Sequence, residues 1–480
     1  MDQSASDAPY GPSWYAATKV SAPVRPPLHS DLDVDVCVIG GGLAGVTTAR
    51  ELARAGWSVA LVEAERIAAQ ASGRNTGFVL PGFAASAESL VSRVGFAQAA
   101  GLWALSQSGV EYVRNTISDD ALWGVSPQRG WLQVSKTENR DGFSRLAGLL
   151  GEFGAEIEFW ETERVRAVLR SQRYFHAIHY PSAISIHPLN YALGLAAAAE
   201  RAGVQIFEHT TALSIDAAGL RKRVDTPRAR VRANHVVLCG NLGIAGLMPR
   251  LAATLIPMTT YVITTTAFGP RIGDAIAYGG SVSDSELADN HYRRVDGDRL
   301  LWSGRVTTWE RDPEWYTRAL VADIKKTYPQ LDDVAAEYRW SGTLGHTVHR
   351  MPQIGQLSPG LWLASGFGGH GLNTTALAGL LIARALVDGD QTWKQFNAFE
   401  LVWAGGILGR ATAQAYYWAM RLQEAAAQRR AQAAETAHQK ARKIANEPSA
   451  GGARVPTDSG IRFDGSGASS AQPARDPTFD

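Results

Sequence analysis

The sequence predicts a mixed α/β and α+β chain: an α/β domain with a parallel sheet, interrupted by an antiparallel-sheet domain and followed by a long C-terminal helix. Three observations predict it. Residues 34–63 run apolar strand, helix, apolar strand. Residues 255–310 are rich in Thr, Val, Tyr and Trp in strand-like alternation, which suits an antiparallel sheet. The stretch "GLWLASGFGGHGLNTTALAGLLIARALVDG" then returns to strand, Gly-rich turn and helix.

Taken in order, residues 1–32 read as an extended arm, because Pro23, Pro26 and Pro27 break any helix. With 480 residues the chain is long enough for two or more domains. One domain is expected from 33–85, 181–250 and 350–410, and a second from 86–180 and 251–349. Residues 86–118 look helical, and "NYALGLAAAAER" is an Ala/Leu helix ended by Gly203. "VQIFEHTTALSID" reads as strands, and "DPEWYTRALVADIKKTYPQL" as an amphipathic helix. A long helix is expected over 411–447 and a disordered tail over 448–480, where Gly, Ser, Pro and Asp dominate.

Composition narrows the function classes. The net charge is +1, so neither nucleic acid nor an anionic membrane is expected as the main partner. No uninterrupted apolar run reaches transmembrane length, and the N-terminus lacks a basic-then-apolar signal pattern, which suggests a cytoplasmic protein. Cys37 and Cys239 lie in apolar strand-like runs and read as buried thiols. No metal site is expected: His346 and His349 stand three apart, but nothing nearby completes a ligand set. No Ser-His-Asp arrangement stands out either.

The strongest motif is "DVDVCVIGGGLAGVTTARELARAGWSVALVEAERI". Gly40, Gly42 and Gly45 give G-x-G-x-x-G between a strand and a helix, and Glu63 ends the next strand. Gly40 permits the tight turn, Gly42 lets a pyrophosphate approach the backbone, and Gly45 lets helix and strand pack. The helix N-terminus at Leu43 and Ala44 offers free amides and a positive dipole end. Glu63 is placed for a ribose diol, with Ala64 and Arg66 beside it; its charge would repel a 2′-phosphate. These features make the opening unit a Rossmann-like dinucleotide site. FAD is favoured over NAD because the chain returns to the site three times. The first return is "ASGRNTGFV", where Ser72, Arg74 and Asn75 can donate to pyrophosphate and flavin edge, and Gly73 and Gly77 allow close approach. The second supplies Thr211, Ala212 and Gly240 on the adenine side. The third puts Gly366, Gly368, Gly369, His370, Gly371 and Leu372 at a helix N-terminus, whose dipole suits charge on a reduced flavin.

"GGGLAG…EAERIAAQASGRNTG", "SIHPLNYALGLAAAAERAGV" and "ASGFGGHGLNTTALAGLLIARAL" together resemble the D-amino-acid-oxidase-type FAD oxidoreductases, and among them the bacterial γ-glutamylputrescine-oxidase-like amine oxidases. The resemblance covers about residues 13–425. It implies an FAD-binding domain of this type, a non-covalent FAD, a small amine or amino acid as substrate, and oxygen or another acceptor to reoxidise the flavin. The expected reaction passes a hydride from the carbon beside nitrogen to flavin N5, after which the imine hydrolyses. It places the substrate face on "NHYRR", "LLWSGR" and "SGTLGHTVHRMPQIG", with His291 and Tyr292 as amine-binding candidates, Arg305 as a carboxylate partner and His346 beside the ring. The family loop usually reads A-S-G-R-N-G-G-Q; here Thr76 and Phe78 depart from it. Two alternatives stay open: oxidation of a 2-hydroxy acid or polyol, and a flavin-binding subunit whose redox step is lost.

Overall fold

A computed structural model describes residues 10–284 and 290–446. The tail expected at 448–480, the first nine residues of the arm and Glu447 lie outside the described residues. The chain divides into two compact units, 1–431 and 432–480.

An eight-stranded sheet in the first unit is built on β1 (Leu32–Ile39). β1 pairs in parallel with β2 (Val59–Val62) on one side and β10 (Arg230–Leu238) on the other. β7 (Gln205–Phe207) extends the parallel ladder beyond β2, and β17 (Leu361–Ser365) extends it beyond β10. β16 (Gln353–Ser358) closes that edge antiparallel to β17. A hairpin of β8 (Ser214–Asp216) and β9 (Lys222–Asp225) joins β10.

Both faces of β1 are covered, so its second half reads as a continuous apolar run. Val36 and Val38 point toward helix α1 (Leu43–Arg54), in a cluster with Val46, Ala49 and Leu52. Cys37 and Ile39 point the other way, toward Val224, Ile244 and Leu251.

The second sheet has nine strands. Its order is β15 (Ala336–His346), β11 (Ile256–Thr265), β14 (Arg299–Thr307), β13 (His291–Val295), β12 (Ser281–Ser283), β4 (Gln128–Val134), β6 (Ala177–Ser185) and β3 (Phe78–Val79), with β5 (Glu158–Trp160) also on β6. Its pairings are antiparallel except β12 with β4. Asp296, Gly297 and Asp298 turn β13 into β14, the first two at positive φ.

Further long helices include α2 (Phe96–Asp119), α3 (Pro188–Arg201), α4 (Glu314–Thr327) and α5 (Gly371–Val387). α1 and α5 cross so closely that a Cβ on Gly379 would lie 2.6 Å from the Thr47 side chain. Leu320 and Ile324 of α4 pack with Tyr292 and Trp302 of the antiparallel sheet. A sixth helix, α6, runs Gly406–Asn446. Within the first unit Tyr417 anchors it, its hydroxyl accepting the Val306 amide at 2.9 Å.

The observed pairing differs from the sequence reading in three places. Residues 181–185, expected with the parallel sheet, belong to β6 of the antiparallel one. Helix α2, expected with the antiparallel domain, lies on α5: a Cβ on Gly109 would meet the Asn373 carbonyl oxygen at 2.3 Å. An apolar stripe says that an element packs; it does not say on what. The arm also holds one helical turn, Trp14–Ala17, capped by the Ser13 hydroxyl. Tyr15 on that turn is fully buried between the His187 and Trp340 rings.

Candidate active site

The first strand–turn–helix is closed by its own backbone. Gly40 has φ +111°, and a Cβ there would lie 2.8 Å from the Cys239 carbonyl. A Cβ on Gly45 would lie 2.0 Å from the Gly40 oxygen. Gly42 caps α1 without a side-chain hydrogen bond, which leaves the helix N-terminus to its amides. The Leu43 amide meets the Ser72 hydroxyl at 3.0 Å, and Ala44 follows buried beneath it.

Glu63 ends β2 beside this turn. Its carboxylate accepts the Gly41 amide at 2.5 Å and the Glu65 amide at 2.8 Å. Burial pushes its carboxyl above the usual range, against the pull of those two amides. Thr211 and Ala212 follow Thr210, whose amide donates to the Glu63 carbonyl at 2.7 Å. Ala64 is exposed at the strand's end, and Gly240 ends β10 next to Gly40.

Three expected contacts are corrected here. Arg66, expected on the cofactor side beside Glu63, donates through Nε to fully buried Glu208 at 3.1 Å and is an ion-pair partner. Glu208 also takes the Ile67 amide, and Arg25 nearby pairs both oxygens of Glu200. Arg74 turns back on its loop, donating to the Ala69 carbonyl at 3.0 Å. Asn75 braces the same loop: its amide donates to Ala71 and Ser72 carbonyls, and its oxygen accepts the Gly77 amide. The Arg74 and Asn75 side chains therefore set the loop's shape. Gly73 and Gly77 are needed for close approach, since a Cβ would meet the Ala68 and Ile186 carbonyl oxygens at 2.4 and 2.1 Å. The Thr76 carbonyl accepts Nε of Arg293 at 3.2 Å, and Phe78 meets the His291 ring edge to face at 6.0 Å.

The second turn, after β17, is built differently. Gly366 and Gly368 have φ +69° and +59°, while Cβ atoms on Gly369 and Gly371 would meet only open space. α5 starts at Gly371 without a side-chain cap, with Leu372 buried behind it. His370 is pushed down to about 4 by burial, with the neighbouring charges of His291, His346 and Arg350 adding to the effect. His346 is likewise pushed down to about 4 by burial and Arg350, and burial lowers His291 too. The His346 ring lies against Gly368, where a Cβ would be 3.1 Å away. Nδ1 of His370 is buried without a partner among the described residues. His291 Nδ1 shares a hydrogen bond with the Ser283 hydroxyl at 2.8 Å.

His291 and His346 thus gather at this turn with His370. Tyr292 and Arg305 do not. Successive residues on a strand face opposite ways, so Tyr292 points into the core behind His291. There it stacks on Trp302 and shares a 2.7 Å hydrogen bond with the Tyr328 hydroxyl. Arg305 pairs with Asp323 of α4 at 2.5 Å. Neither is free to meet an amine or a carboxylate.

Sequence reading passed over Arg350. It stands at φ +62° beside His346 and His370, half-buried, and its side chain has no hydrogen-bond or ion-pair partner among the described residues. Burial draws its guanidinium below the usual value. Nothing in one dimension marks an arginine as unpaired. Arg293 was missed as well, although it holds the loop from behind.

The residues fit FAD. The N-termini of α1, where the Ser72 hydroxyl takes the Leu43 amide, and of uncapped α5 could offer amides to pyrophosphate and ring, an acid stands at the end of β2, and an orphaned imidazole nitrogen lies at the second turn. Among the described residues no cluster could hold a metal, and no helix is long and apolar enough to cross a membrane. Both thiols are buried, pushed up to about 12.

Comparison with known proteins agrees. The chain is 32% identical over 396 residues to the γ-glutamylputrescine oxidoreductase of Escherichia coli K12, covering 81% of this chain and 91% of that protein. It is 29% identical to a probable oxidoreductase, OrdL, of Haemophilus influenzae, covering 80% and 90%. Glycine oxidase from Geobacillus kaustophilus shares the fold, with a TM-score of 0.65 at 21% identity, covering 78% of this chain and 99% of that one. The DAO family of FAD-dependent oxidoreductases matches residues 35–385, and this chain, an FAD-dependent oxidoreductase, belongs to it.

Proposed function

We propose that this enzyme oxidises the C–N bond of a small amine that also carries a carboxylate, such as a γ-glutamylated amine. In this reading FAD is held non-covalently and oxygen is the reoxidant, giving hydrogen peroxide. The observation that carries the reading is Arg350, an unpaired, half-buried guanidinium among imidazoles at an open helix N-terminus. A charge in that setting favours an anionic group of the substrate. The relative that is a γ-glutamylputrescine oxidoreductase supports the same class.

Bound FAD supplies the two-electron acceptor that takes the hydride from the carbon beside nitrogen. The protein does the rest. His291, His346 and His370 stay neutral near pH 7, so they can accept a hydrogen bond from the substrate's amine without adding positive charge beside it. The amides at the start of α5 would offer stabilisation to negative charge on a flavin held against them. Phe78 meets His291 edge to face and shapes the pocket that receives the amine. The imine product hydrolyses in water.

The test is anaerobic mixing of the purified holoprotein with γ-glutamyl amines, free polyamines, cyclic imino acids, N-methyl amino acids and 2-hydroxy acids. Bleaching of the flavin band by γ-glutamyl amines, with peroxide formed on admitting air, is expected. Bleaching by hydroxy acids alone would overturn the reading.

A further inference from the structure

The turn Trp14–Ala17, residues 124–128, the start of α3 and the β13–β14 hairpin border a half-open cavity of about 330 Å³. It is lined by Arg293, His187, Asn190 and Gln128, with Trp14, Val20 and Val295 as apolar walls. Arg293 is only 3% exposed, yet no carboxylate pairs with it. Its Nε donates to the Thr76 carbonyl at 3.2 Å, and its Nη2 to the Ile186 carbonyl at 2.7 Å and the Tyr15 hydroxyl at 3.3 Å. Nη1 has no partner among the described residues.

The other buried polar groups around the cavity are satisfied. His187 Nδ1 accepts the Asn190 amide and its Nε2 meets the Thr18 hydroxyl at 3.1 Å. The Asn190 side chain accepts the Val20 amide and donates to the Gly124 carbonyl. Burial and Arg293 push His187 down to about 3, so the imidazole is neutral. Asp296 is the one acid among the lining residues, and it is exposed at the rim. A guanidinium that lacks a counter-ion among the described residues and keeps one donor open to the cavity favours an anion there.

We propose that this cavity is a second ligand site, taking a small oxyanion, carboxylate or phosphate, on Arg293, with Trp14, Val20 and Val295 around the rest of the ligand. It is separate from the second Gly-rich turn, and Arg293 links it to the flavin loop through the Thr76 carbonyl. Occupancy therefore stiffens the loop and perturbs the flavin.

The holoprotein is titrated with inorganic phosphate and with acetate at constant ionic strength. The thermal midpoint and the flavin spectrum are followed. The site predicts a saturable rise of about 1–2 °C at ten times the dissociation constant and a saturable change in the flavin band. Val20→Trp, which fills the cavity from the arm and leaves Arg293 in place, abolishes both while keeping FAD and amine turnover. A response to only one of the two anions supports the site and fixes its ligand type. No saturable response to either anion, or a response that survives in Val20→Trp, overturns the proposal.

Discussion

At the end of β1 a methyl group on Gly40 or Gly45 would strike a backbone carbonyl, and an acid, Glu63, is tied to the turn by the Gly41 amide. At the end of β17, Gly369 and Gly371 face open space, and the neighbours include three imidazoles and a guanidinium unpaired among the described residues, with the buried Asp284 acting on His291. Both turns start a helix whose N-cap residue contributes no side-chain hydrogen bond, although the Ser72 hydroxyl meets the Leu43 amide of the first. The first is rigid because its ligand contacts are backbone, and backbone must be held in place to meet a phosphate. The second is roomy, as the proposed function requires if a ring, a substrate and their charges are to fit there. On that proposal the first geometry holds the cofactor and the second does chemistry with it.

Breaking the closed turn should have the largest effect. Gly45→Ala forces a Cβ onto a carbonyl oxygen that cannot retreat. It should cost about 3 kcal/mol and give protein that purifies without flavin colour. Gly369→Ala, at the open turn, should keep its flavin content and its melting temperature. Equal flavin loss in both variants would erase the contrast.

Next comes Arg350→Met. Loss of a charge-assisted contact worth about 1.5–3 kcal/mol should raise the apparent KM for a carboxylate-bearing amine about 10- to 100-fold. An amine without a carboxylate should be unaffected, as steady-state kinetics on the pair would reveal.

A third effect is pH-dependent. His187, His346 and His370 are held at about 3, 4 and 4, below the ordinary value of 6.5. Between those values the unfolded chain binds protons that the folded chain refuses. Their stabilisation is therefore complete above about pH 6.5 and is lost as pH falls toward 4. Denaturant melts across that range should show the decline, and His370→Gln should make it shallower.

Phe78→Gln, which restores the usual family residue beside His291, should change relative kcat/KM among amines by about tenfold or less. Smallest of all, alkylating reagents should leave the folded enzyme active, because both thiols are buried.

The closed turn was legible in the sequence because its parts are local: strand, three glycines, helix and an acid within one βαβ unit. The open turn was legible as a Gly-run at a helix start, and His370 with it. What surrounds that turn was not. His291 and Tyr292 are neighbours in the chain and opposites in the sheet, and only pairing with β12 and β14 decides which faces the site. Arg66, Arg74 and Arg305 looked like ligand donors until their partners came into view: Glu208, the Ala69 carbonyl and Asp323. Arg350 carried the opposite error, since being unpaired is a property of three dimensions. Strand membership of 181–185 and the seat of α2 failed for a related reason: periodicity gives an element's buried face and leaves its partner open.

Rapid-mixing reduction of the bound flavin, without oxygen, tests the central claim most directly. Wild type and Arg350→Met are each mixed with γ-glutamylputrescine and with putrescine. The account predicts fast bleaching of wild type by γ-glutamylputrescine at low concentration. It predicts a large rise in half-saturation for that substrate in Arg350→Met, and no change between the two proteins with putrescine. Flavin that stays oxidised in wild type with every amine, or identical half-saturation for γ-glutamylputrescine in both proteins, would contradict it.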